Sequence, residues 1–404
     1  MHDGHAREWP STLDVDALRA DGWRPMPFRE FVLKIHSRCN LACDYCYMYE
    51  MADQSWRTQP LRMSADVIER TALRIAEHAR SHRLASVDVV LHGGEPLLAG
   101  PALIERAVTS VRGAVGAGVR VGVHVQTNGT ALDVRFLELF DALDVRVGVS
   151  LDGDRVAHDR HRRHAGGAGS HQAVVAALGT LSKEFRRIYS GLLCTIDLRN
   201  DPIATYEALL ALEPPRIDFL LPHGNWNSPP PDRVPGSPET PYGEWLAEIF
   251  DRWYARPRRE VQVRLFEEII HVLLGGVSNS EMIGLAPVGV VVVETDGAIE
   301  QSDMLKSAYP GAGRTGLHVS RDSFDDVLTR PPIAARQIGA LALAGECRLC
   351  DVREACGGGL YAHRYRRGSG FANPSVYCAD LYRLVTHVRD RLRHDLLTRS
   401  PPAG

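Results

Sequence analysis

The sequence predicts an α/β fold built on a parallel β-sheet. Six short apolar, β-prone runs alternate with amphipathic, helix-prone stretches between residues 31 and 221. This alternation is typical of parallel strands joined by crossover helices. Ser64 and Asp133 stand where N-cap residues are expected, just before two of the helical stretches.

The elements follow one another in a regular order. Strands are predicted at Phe31–Ile35, Val87–His92, Val119–Gln126, Val145–Ser150, Ser190–Ile196 and Ile217–Leu221. Helices are predicted between them at Ala65–Ala79, Pro101–Val115, Val134–Asp141, His171–Phe185 and Pro202–Leu212. Six strands are too few for a closed barrel of eight, and function is expected at their carboxyl ends.

The composition is that of an ordinary globular protein of 404 residues, with room for two or three domains. It is 44% hydrophobic and 24% charged, with a net charge of −3, so nothing indicates a nucleic-acid partner. No apolar run reaches membrane-spanning length, and the first ten residues lack the layout of a signal peptide. We therefore expect a cytoplasmic protein without a membrane partner. In that compartment eight cysteines favour metal binding over disulfides.

Three cysteines follow the first predicted strand in the spacing C-x3-C-x2-C: Cys39, Cys43 and Cys46. A disulfide would use two of these cysteines and leave the third unpaired. A structural zinc site normally uses four ligands, one more than this motif supplies. A cubane iron–sulfur cluster takes one ligand per iron. Three cysteines would then leave one iron open to a substrate or cofactor. A structural metal knuckle or a set of buried thiols is the alternative.

With Tyr45 before its third cysteine, this motif resembles the signature of the radical S-adenosylmethionine (SAM) enzymes. The resemblance implies a partial, six-stranded (β/α) barrel of the TIM type, which agrees with the strand count. It also implies that the open iron of a [4Fe–4S] cluster chelates SAM, whose reductive cleavage gives a 5′-deoxyadenosyl radical that abstracts hydrogen. Tyr45 would pack near the adenine.

Polar motifs follow the next three strands. The run His92-Gly93-Gly94-Glu95-Pro96 follows the second strand and resembles the family motif that binds the amino group of SAM. The runs Gln126-Thr127-Asn128-Gly129 and Ser150-Leu151-Asp152-Gly153 follow the third and fourth strands and offer polar groups at the same edge, among them Asn128 as a further candidate for binding SAM. The resemblance implies that SAM is bound by Gly93, Gly94, Glu95, Pro96, Ser150, Asp152 and Arg162. Ordinary turns and helix caps are the alternative for each of these motifs.

Four further cysteines lie in a loop-rich stretch near the C-terminus: Cys347, Cys350, Cys356 and Cys378. On spacing alone, zinc and a second cluster are equally good interpretations. The run CRLCDVREACGGG resembles the SPASM extension of peptide-modifying radical SAM enzymes, which often carries two auxiliary [4Fe–4S] clusters. Leu360 stands where a further cysteine is expected, and none lies between Cys194 and Cys347. The resemblance therefore implies one auxiliary cluster, saturated by these four cysteines and suited to electron transfer or a structural role.

A β-hairpin is predicted at Val288–Glu294 and Ala298–Gln301, around an Asp-Gly turn. In the family a D-G-x4-C-D motif of this hairpin ends, in some members, in a catalytic aspartate. Here Ser302 replaces the cysteine and Asp303 keeps the aspartate. The resemblance implies that Asp303 is the catalytic base, with a pKa raised by shielding from water. A solvent-exposed turn aspartate is the alternative.

The run GGGLYAHRYRRGSGFANPSVYCADL resembles more narrowly the maturases of the FxsB type, which form three-residue cyclophanes in ribosomally made peptides. This implies a precursor peptide as substrate and a flavodoxin- or ferredoxin-type protein as reductant. His363, Arg364 and Tyr365 would face the substrate, although a surface helix would look the same. The alternatives are thioether formation, oxidation of Ser or Cys to formylglycine, and a non-catalytic, metal-stabilised peptide-binding scaffold.

Four regions are expected along the chain. Residues 1–27 are an N-terminal segment, 28–225 the radical SAM partial barrel, 226–285 a linker with bridging helices, and 286–404 the SPASM-like cluster domain. Within the linker region, a Pro-rich loop precedes helices predicted at Tyr242–Tyr254 and Val263–Leu274.

Overall fold

The computed structural model describes residues 8–399 as one ten-stranded β-sheet flanked by helices. The strands are β1 Glu30–His36, β2 Ser86–Gly93, β3 Arg120–Thr127, β4 Val145–Ser150, β5 Tyr189–Thr195, β6 Arg216–Leu220, β7 Gln262–Val263, β8 Val290–Val293, β9 Ala298–Glu300 and β10 Arg314–His318. The helices are α1 Val15–Ala20, α2 Ala65–Ser81, α3 Pro101–Val115, α4 Val134–Ala142, α5 Arg155–His161, α6 His171–Glu184, α7 Pro202–Leu210, α8 Pro241–Tyr254, α9 Arg264–Leu273, α10 Phe324–Leu328, α11 Pro331–Ala335, α12 Gly345–Leu349, α13 Arg353–Cys356 and α14 Cys378–Arg399.

The first six strands form the parallel sheet that the sequence predicts. They stand side by side in chain order, each joined to the next by at least one helix. Their ends agree with the predicted ones to within one residue. Both expected N-caps form, because the Ser64 and Asp133 side chains accept hydrogen bonds from the amides of Val67 and Phe136. The predicted α/β class is confirmed.

The C-terminal hairpin extends this same sheet. Strands β8 and β9 pair antiparallel, as predicted, and β8 also pairs in parallel with β1, from Glu30 opposite Val290 to Leu33 opposite Val293. The sequence gives no sign of this second pairing, since the two strands lie far apart in the chain. The consequence is that the segment after the hairpin lies against the carboxyl end of β1.

Helix α14 closes the core next to α8 and α9, and was not predicted. Its sequence is rich in charge, and only a narrow apolar stripe faces inward, formed by Leu381, Leu384, Val385 and Val388. On α8, Trp245, Phe250 and Trp253 are buried. Among residues 8–399, no helix is long and apolar enough to cross a membrane.

Candidate active site at the carboxyl ends of the strands

The three N-terminal cysteines lie in the loop that follows β1. The amide of Leu41 points at the Cys39 Sγ, 3.4 Å away. Burial raises the pKa of Cys39 and Cys43 to about 11, and it raises that of Cys46 as well. Thiolates in such a place need a strong compensating positive charge, which bound iron supplies. The loop therefore fits a cluster with three cysteine ligands.

The two glycines after β2 bring its loop against the cysteine loop. The Gly94 amide donates to the His36 carbonyl at 2.8 Å, and the Glu95 amide donates to the Arg38 carbonyl at 3.0 Å. A Cβ on Gly93 would overlap the His36 carbonyl, and one on Gly94 would overlap the Arg38 backbone. Glycine is needed here because two backbones approach closely, and this approach holds Glu95 near Cys39.

The Glu95 carboxylate is fully buried and ties two loops together. Its Oε1 accepts hydrogen bonds from the Leu97 amide (2.9 Å) and the Thr127 hydroxyl (2.7 Å), and its Oε2 accepts one from the Asn128 amide (2.8 Å). Burial raises the pKa of Glu95 to about 7 against the opposing effect of these donors. Pro96 opens the short 3-10 helix that follows.

Asn128 connects this arrangement to the cysteine loop. Its side-chain amide donates to the Asn40 side chain at 2.9 Å and lies 3.6 Å from the Cys39 Sγ. One residue thus binds Glu95 through its backbone and contacts a cysteine through its side chain. The structure brings together the predicted residues at the ends of β1, β2 and β3.

A second group of predicted residues meets on the other side of the cysteine loop. Both Tyr45 and Arg162 donate to Oδ2 of buried Asp152, Arg162 Nε at 2.7 Å, and the Thr195 amide donates to Oδ1 at 3.0 Å. The Arg162 guanidinium also stands over the Tyr45 ring, 5.5 Å from its centroid. Burial alone would raise the pKa of Asp152, but Arg162, His158 and the Tyr45 hydroxyl together outweigh it, and the net shift is downward.

The Ser150 side chain is hydrogen-bonded to a residue outside this group. Its hydroxyl accepts a hydrogen bond from the Gln126 side chain at 3.0 Å, across the neighbouring strands β3 and β4. The proposed SAM-binding role of Ser150 stays a prediction.

Asp303 lies at the centre of a polar network near the end of β1. Its Oδ2 is 2.8 Å from Lys34 Nζ and 2.9 Å from the Tyr47 hydroxyl, and His92 Nδ1 stands 3.6 Å away. Lys34 also contacts His92 at 3.0 Å. The His92 and Asp303 side chains keep 24% and 12% of their surface exposed.

The expected upward shift of the Asp303 pKa is wrong. Burial does act in that direction, but Lys34, His92 and the Tyr47 hydroxyl together hold the pKa well below its usual range. Burial, followed by the charge of Lys34, lowers the pKa of His92 to about 4. At neutral pH the network is therefore an ionised carboxylate beside a neutral imidazole. The expected alternative of a solvent-exposed aspartate is wrong too, because Asp303 is buried.

Sequence reasoning missed Lys34 and Tyr47. A signal for Lys34 exists, because it is a charged residue within the apolar strand FVLKIH, where burial requires a partner. Tyr47 carries no comparable signal beyond its place next to Cys46.

A row of aromatic rings extends from the Asp303 network. The centroid distances are 4.5 Å from Tyr47 to His223, 5.8 Å from His223 to His363, and 5.0 Å from His363 to Tyr377. Within residues 8–399, neither ring nitrogen of buried His363 has a hydrogen-bond partner. We name these four residues the aromatic wall.

The segment that carries His363 is a buried 3-10 helix at 361–364, so the expected alternative of a surface helix is wrong. Tyr365 packs on Tyr309 and Phe371. Arg364 points inward and donates to the carbonyls of Gly357 (2.6 Å), Gly358 (3.1 Å) and Gly359 (2.7 Å). Contact of Arg364 and Tyr365 with substrate stays a prediction.

The C-terminal cysteines occupy α12, α13 and the start of α14. Burial raises the pKa of Cys347 to about 11 and that of Cys356 to about 12, and the nearby Cys378 thiol adds to both shifts. The pKa of Cys378 is raised by burial and then by Cys350. Thiols that raise one another's pKa form one group, and such a group fits a metal centre that would neutralise its charge.

Residues 33–207 match the family model described as the Radical SAM superfamily. This segment is therefore similar to a radical SAM domain, and the sheet has the radical SAM α/β fold. The match supports SAM and an iron–sulfur cluster as cofactors, and it supports an enzyme that acts by radical chemistry.

The chain is similar over nearly its whole length to anaerobic sulfatase-maturating enzymes. It is 25% identical to the serine-type enzyme of Klebsiella aerogenes, over 94% of this chain and 92% of that one. It is 22% identical to the cysteine-type enzyme of Clostridium novyi, over 85% and 90% of the two chains.

Two solved structures share the fold. The structure of anSMEcpe with bound AdoMet matches at a TM-score of 0.78 and 20% identity, covering 91% of this chain and 98% of that one. Streptococcus suis SuiB bound to precursor peptide SuiA matches at 0.58 and 13%, covering 90% and 78%.

Proposed function

We propose that this chain is a peptide maturase that joins an aromatic ring to the Cβ of another residue in a ribosomally made precursor peptide. When bound, SAM and its cluster supply the 5′-deoxyadenosyl radical that removes the Cβ hydrogen atom, and the auxiliary cluster supplies an electron acceptor. Formation of the new bond and recovery of aromaticity then require the loss of one electron and one proton. The chain's own residues must orient the peptide and take up that proton.

We assign to Asp303 the role of accepting the proton that the aromatic ring loses. The charge of Lys34 keeps its carboxylate ionised at neutral pH, so an acceptor oxygen is available without prior deprotonation. The Asp303 side chain keeps 12% of its surface exposed. The low pKa makes Asp303 a weak base, which suits the acidic proton of an oxidised ring.

The aromatic wall is the observation that carries the choice of substrate. The Tyr47 ring lies beside His223, and the Tyr47 hydroxyl donates to Asp303. Both residues are half-buried rather than fully enclosed. An aromatic side chain of the peptide that stacks there would present its edge to Asp303. This supports an aromatic residue as the acceptor of the new bond.

The SAM-binding roles rest on the remaining hydrogen-bonding capacity of the site. A carboxylate oxygen can accept two hydrogen bonds, and Glu95 Oε2 accepts only one among residues 8–399. We assign its second lone pair to the ammonium group of SAM. The Tyr45 ring, held by Asp152 and Arg162, would pack against the adenine.

The test is the reaction itself. The anaerobically reconstituted enzyme is incubated with SAM, a reductant and the peptide encoded by the small reading frame beside its gene. Crosslinking removes two hydrogens and blocks tandem fragmentation between the joined residues. A product that loses two hydrogens yet fragments at every bond would overturn the crosslink.

A second candidate is oxidation of Ser or Cys to formylglycine, favoured by the full-length similarity to sulfatase-maturating enzymes. Oxidation of Ser also removes two hydrogens, so intact mass does not separate it from crosslinking. Oxidation of Cys to formylglycine in addition exchanges the sulfur for a water-derived oxygen with release of H2S, and this change is visible in the intact mass. A hydrazide probe separates both oxidations from crosslinking, because formylglycine carries an aldehyde that reacts with it. We expect no hydrazide adduct on the product.

A further inference from the structure

A cluster of two histidines and an aspartate joins the barrel to the C-terminal region. His78 lies in the last turn of α2, and His82 is the C-cap residue of that helix. Asp325, in the first turn of α10, places Oδ1 2.5 Å from His78 Nδ1 and 2.9 Å from His82 Nε2. The spacing i, i+4 puts both rings on one face of the helix, with centroids 4.5 Å apart.

We propose that His78, His82 and Asp325 form a binding site for a divalent transition metal ion, with Zn²⁺ as the best fit. The three ligand atoms lie within 4.8 Å of one another and come from two separate elements. Two imidazoles and a carboxylate are a ligand set that Zn²⁺ prefers. Water would complete the coordination from the open side.

The surroundings make the histidines competent ligands. His78 is buried, and its ring packs near Phe31 and Phe324 at centroid distances of 6.0 and 6.2 Å. The packed rings fix the orientation of this ligand.

Metal binding requires the three ligand atoms to rearrange slightly. Two atoms at about 2.0 Å from a tetrahedral ion lie about 3.3 Å apart, so the Asp325 oxygen must withdraw from both nitrogens. The two histidine nitrogens, which lie within 4.8 Å of each other, must reach the same spacing. The Asp325 side chain is 42% exposed, and that of His82 is 27% exposed. Both can move and both can be reached by an ion from solution.

This site is separate from the radical chemistry. His82 precedes the first residue of β2 by four positions, so it lies at the amino end of the strands, whereas the cysteine loop lies at the carboxyl end of β1. An ion here would join α2 to α10 across the boundary between the barrel and the C-terminal region. Its effect would be on stability rather than on turnover.

The experiment measures zinc on the cluster-loaded holoenzyme. The protein is dialysed against chelator-buffered Zn²⁺, and zinc and iron are counted by mass spectrometry. We expect the wild type to hold one zinc per chain more than His82→Ala or Asp325→Asn, with equal iron. Zinc should raise the unfolding temperature of the wild type and not that of the two variants.

His394→Ala is the matched control, because His394 is an exposed histidine on another helix. It should bind zinc as the wild type does. Equal zinc in the wild type and in His82→Ala would overturn the proposal, and the three residues would then be a hydrogen-bonded clamp. Extra zinc that appears only with a loss of iron would overturn it as well.

Discussion

Lys34 Nζ lies 2.8 Å from Asp303 Oδ2, and this buried salt bridge joins the first barrel strand to the segment after the C-terminal hairpin. The contact depends on the parallel pairing of β8 with β1, which ends with Leu33 opposite Val293. Asp303 is thereby fixed against the cysteine loop through Tyr47. The extension of the sheet thus creates the site.

Asp303→Asn should slow crosslinking by about 10²- to 10⁴-fold, the usual contribution of a positioned general base. The amide keeps the size of the side chain but accepts a proton poorly. Cleavage of SAM to 5′-deoxyadenosine should continue, so the ratio of crosslink to 5′-deoxyadenosine falls. Both products are measured by liquid chromatography and mass spectrometry.

Asp390→Asn is the control for this experiment, since Asp390 is exposed on α14. It should leave the ratio unchanged. A wild-type crosslinking rate in Asp303→Asn would show that the proton goes elsewhere.

Lys34→Met should move the acid limb of the crosslinking rate to higher pH. In the wild type the pKa of Asp303 is depressed, so the carboxylate stays ionised above the ordinary aspartate value of about 3.9. Without Lys34, burial dominates and the pKa rises. At saturating SAM, the variant should lose rate as the pH falls through that raised value, where the wild-type profile stays flat.

Lys34→Arg keeps the positive charge and should retain the wild-type profile. If Lys34→Met kept a flat profile, Lys34 would not control the protonation of Asp303.

The sequence predicts the barrel well because its strands and helices have clear periods and caps. Ser64 and Asp133 illustrate this, since each cap is a local interaction within four residues. The network around Asp303 could not be predicted in this way. It joins Lys34 to a residue 269 positions away, through a pairing of strands that no local pattern encodes.

The predicted site residues show the same limit. Tyr45, Asp152 and Arg162 can be placed at strand ends from the sequence, but their contacts with one another cannot. The predicted upward shift of the Asp303 pKa was wrong for this reason. Burial could be inferred from the hairpin, whereas the cation that outweighs burial comes from β1.

Cys39→Ala should abolish production of 5′-deoxyadenosine, because a cluster with two protein ligands cannot be held in the SAM-binding state. Cys194→Ala is the matched control, since Cys194 is buried in β5 away from both cysteine groups in sequence. It should keep cluster absorbance and SAM cleavage. Continued SAM cleavage by Cys39→Ala would contradict the assignment of the ligands.

Glu95→Gln should remove a pH dependence from SAM binding. Burial raises the pKa of Glu95 to about 7, so below that pH the carboxyl is protonated and cannot pair with an ammonium group. In the wild type the Kd for SAM should therefore rise up to tenfold for each pH unit below 7. In Glu95→Gln the Kd for SAM should be higher than in the wild type and should not change with pH.

Equilibrium binding to the cluster-loaded protein between about pH 6 and 8 measures this effect. Identical slopes for the wild type and Glu95→Gln would exclude Glu95 as the ammonium partner.

Arg364→Met should make the reduction potential of the proposed auxiliary cluster more negative. Arg364 is a buried cation that forms no salt bridge with a carboxylate within residues 8–399, and its charge lowers the pKa of Cys347 and Cys356. A positive charge beside a cluster stabilises the reduced, more negative state. Redox titration followed by electron paramagnetic resonance measures the midpoint.

Arg364→Lys separates charge from hydrogen bonding. Lysine retains the positive charge but loses the branched guanidinium that donates to the Gly357–Gly359 carbonyls. The reduction potential should therefore return to the wild-type value, whereas the unfolding temperature should lie below that of the wild type. Arg366→Met is the control, because Arg366 is exposed and lies over the Trp226 ring. An unchanged midpoint in Arg364→Met at full iron content would mean that the guanidinium only supports the glycine loop.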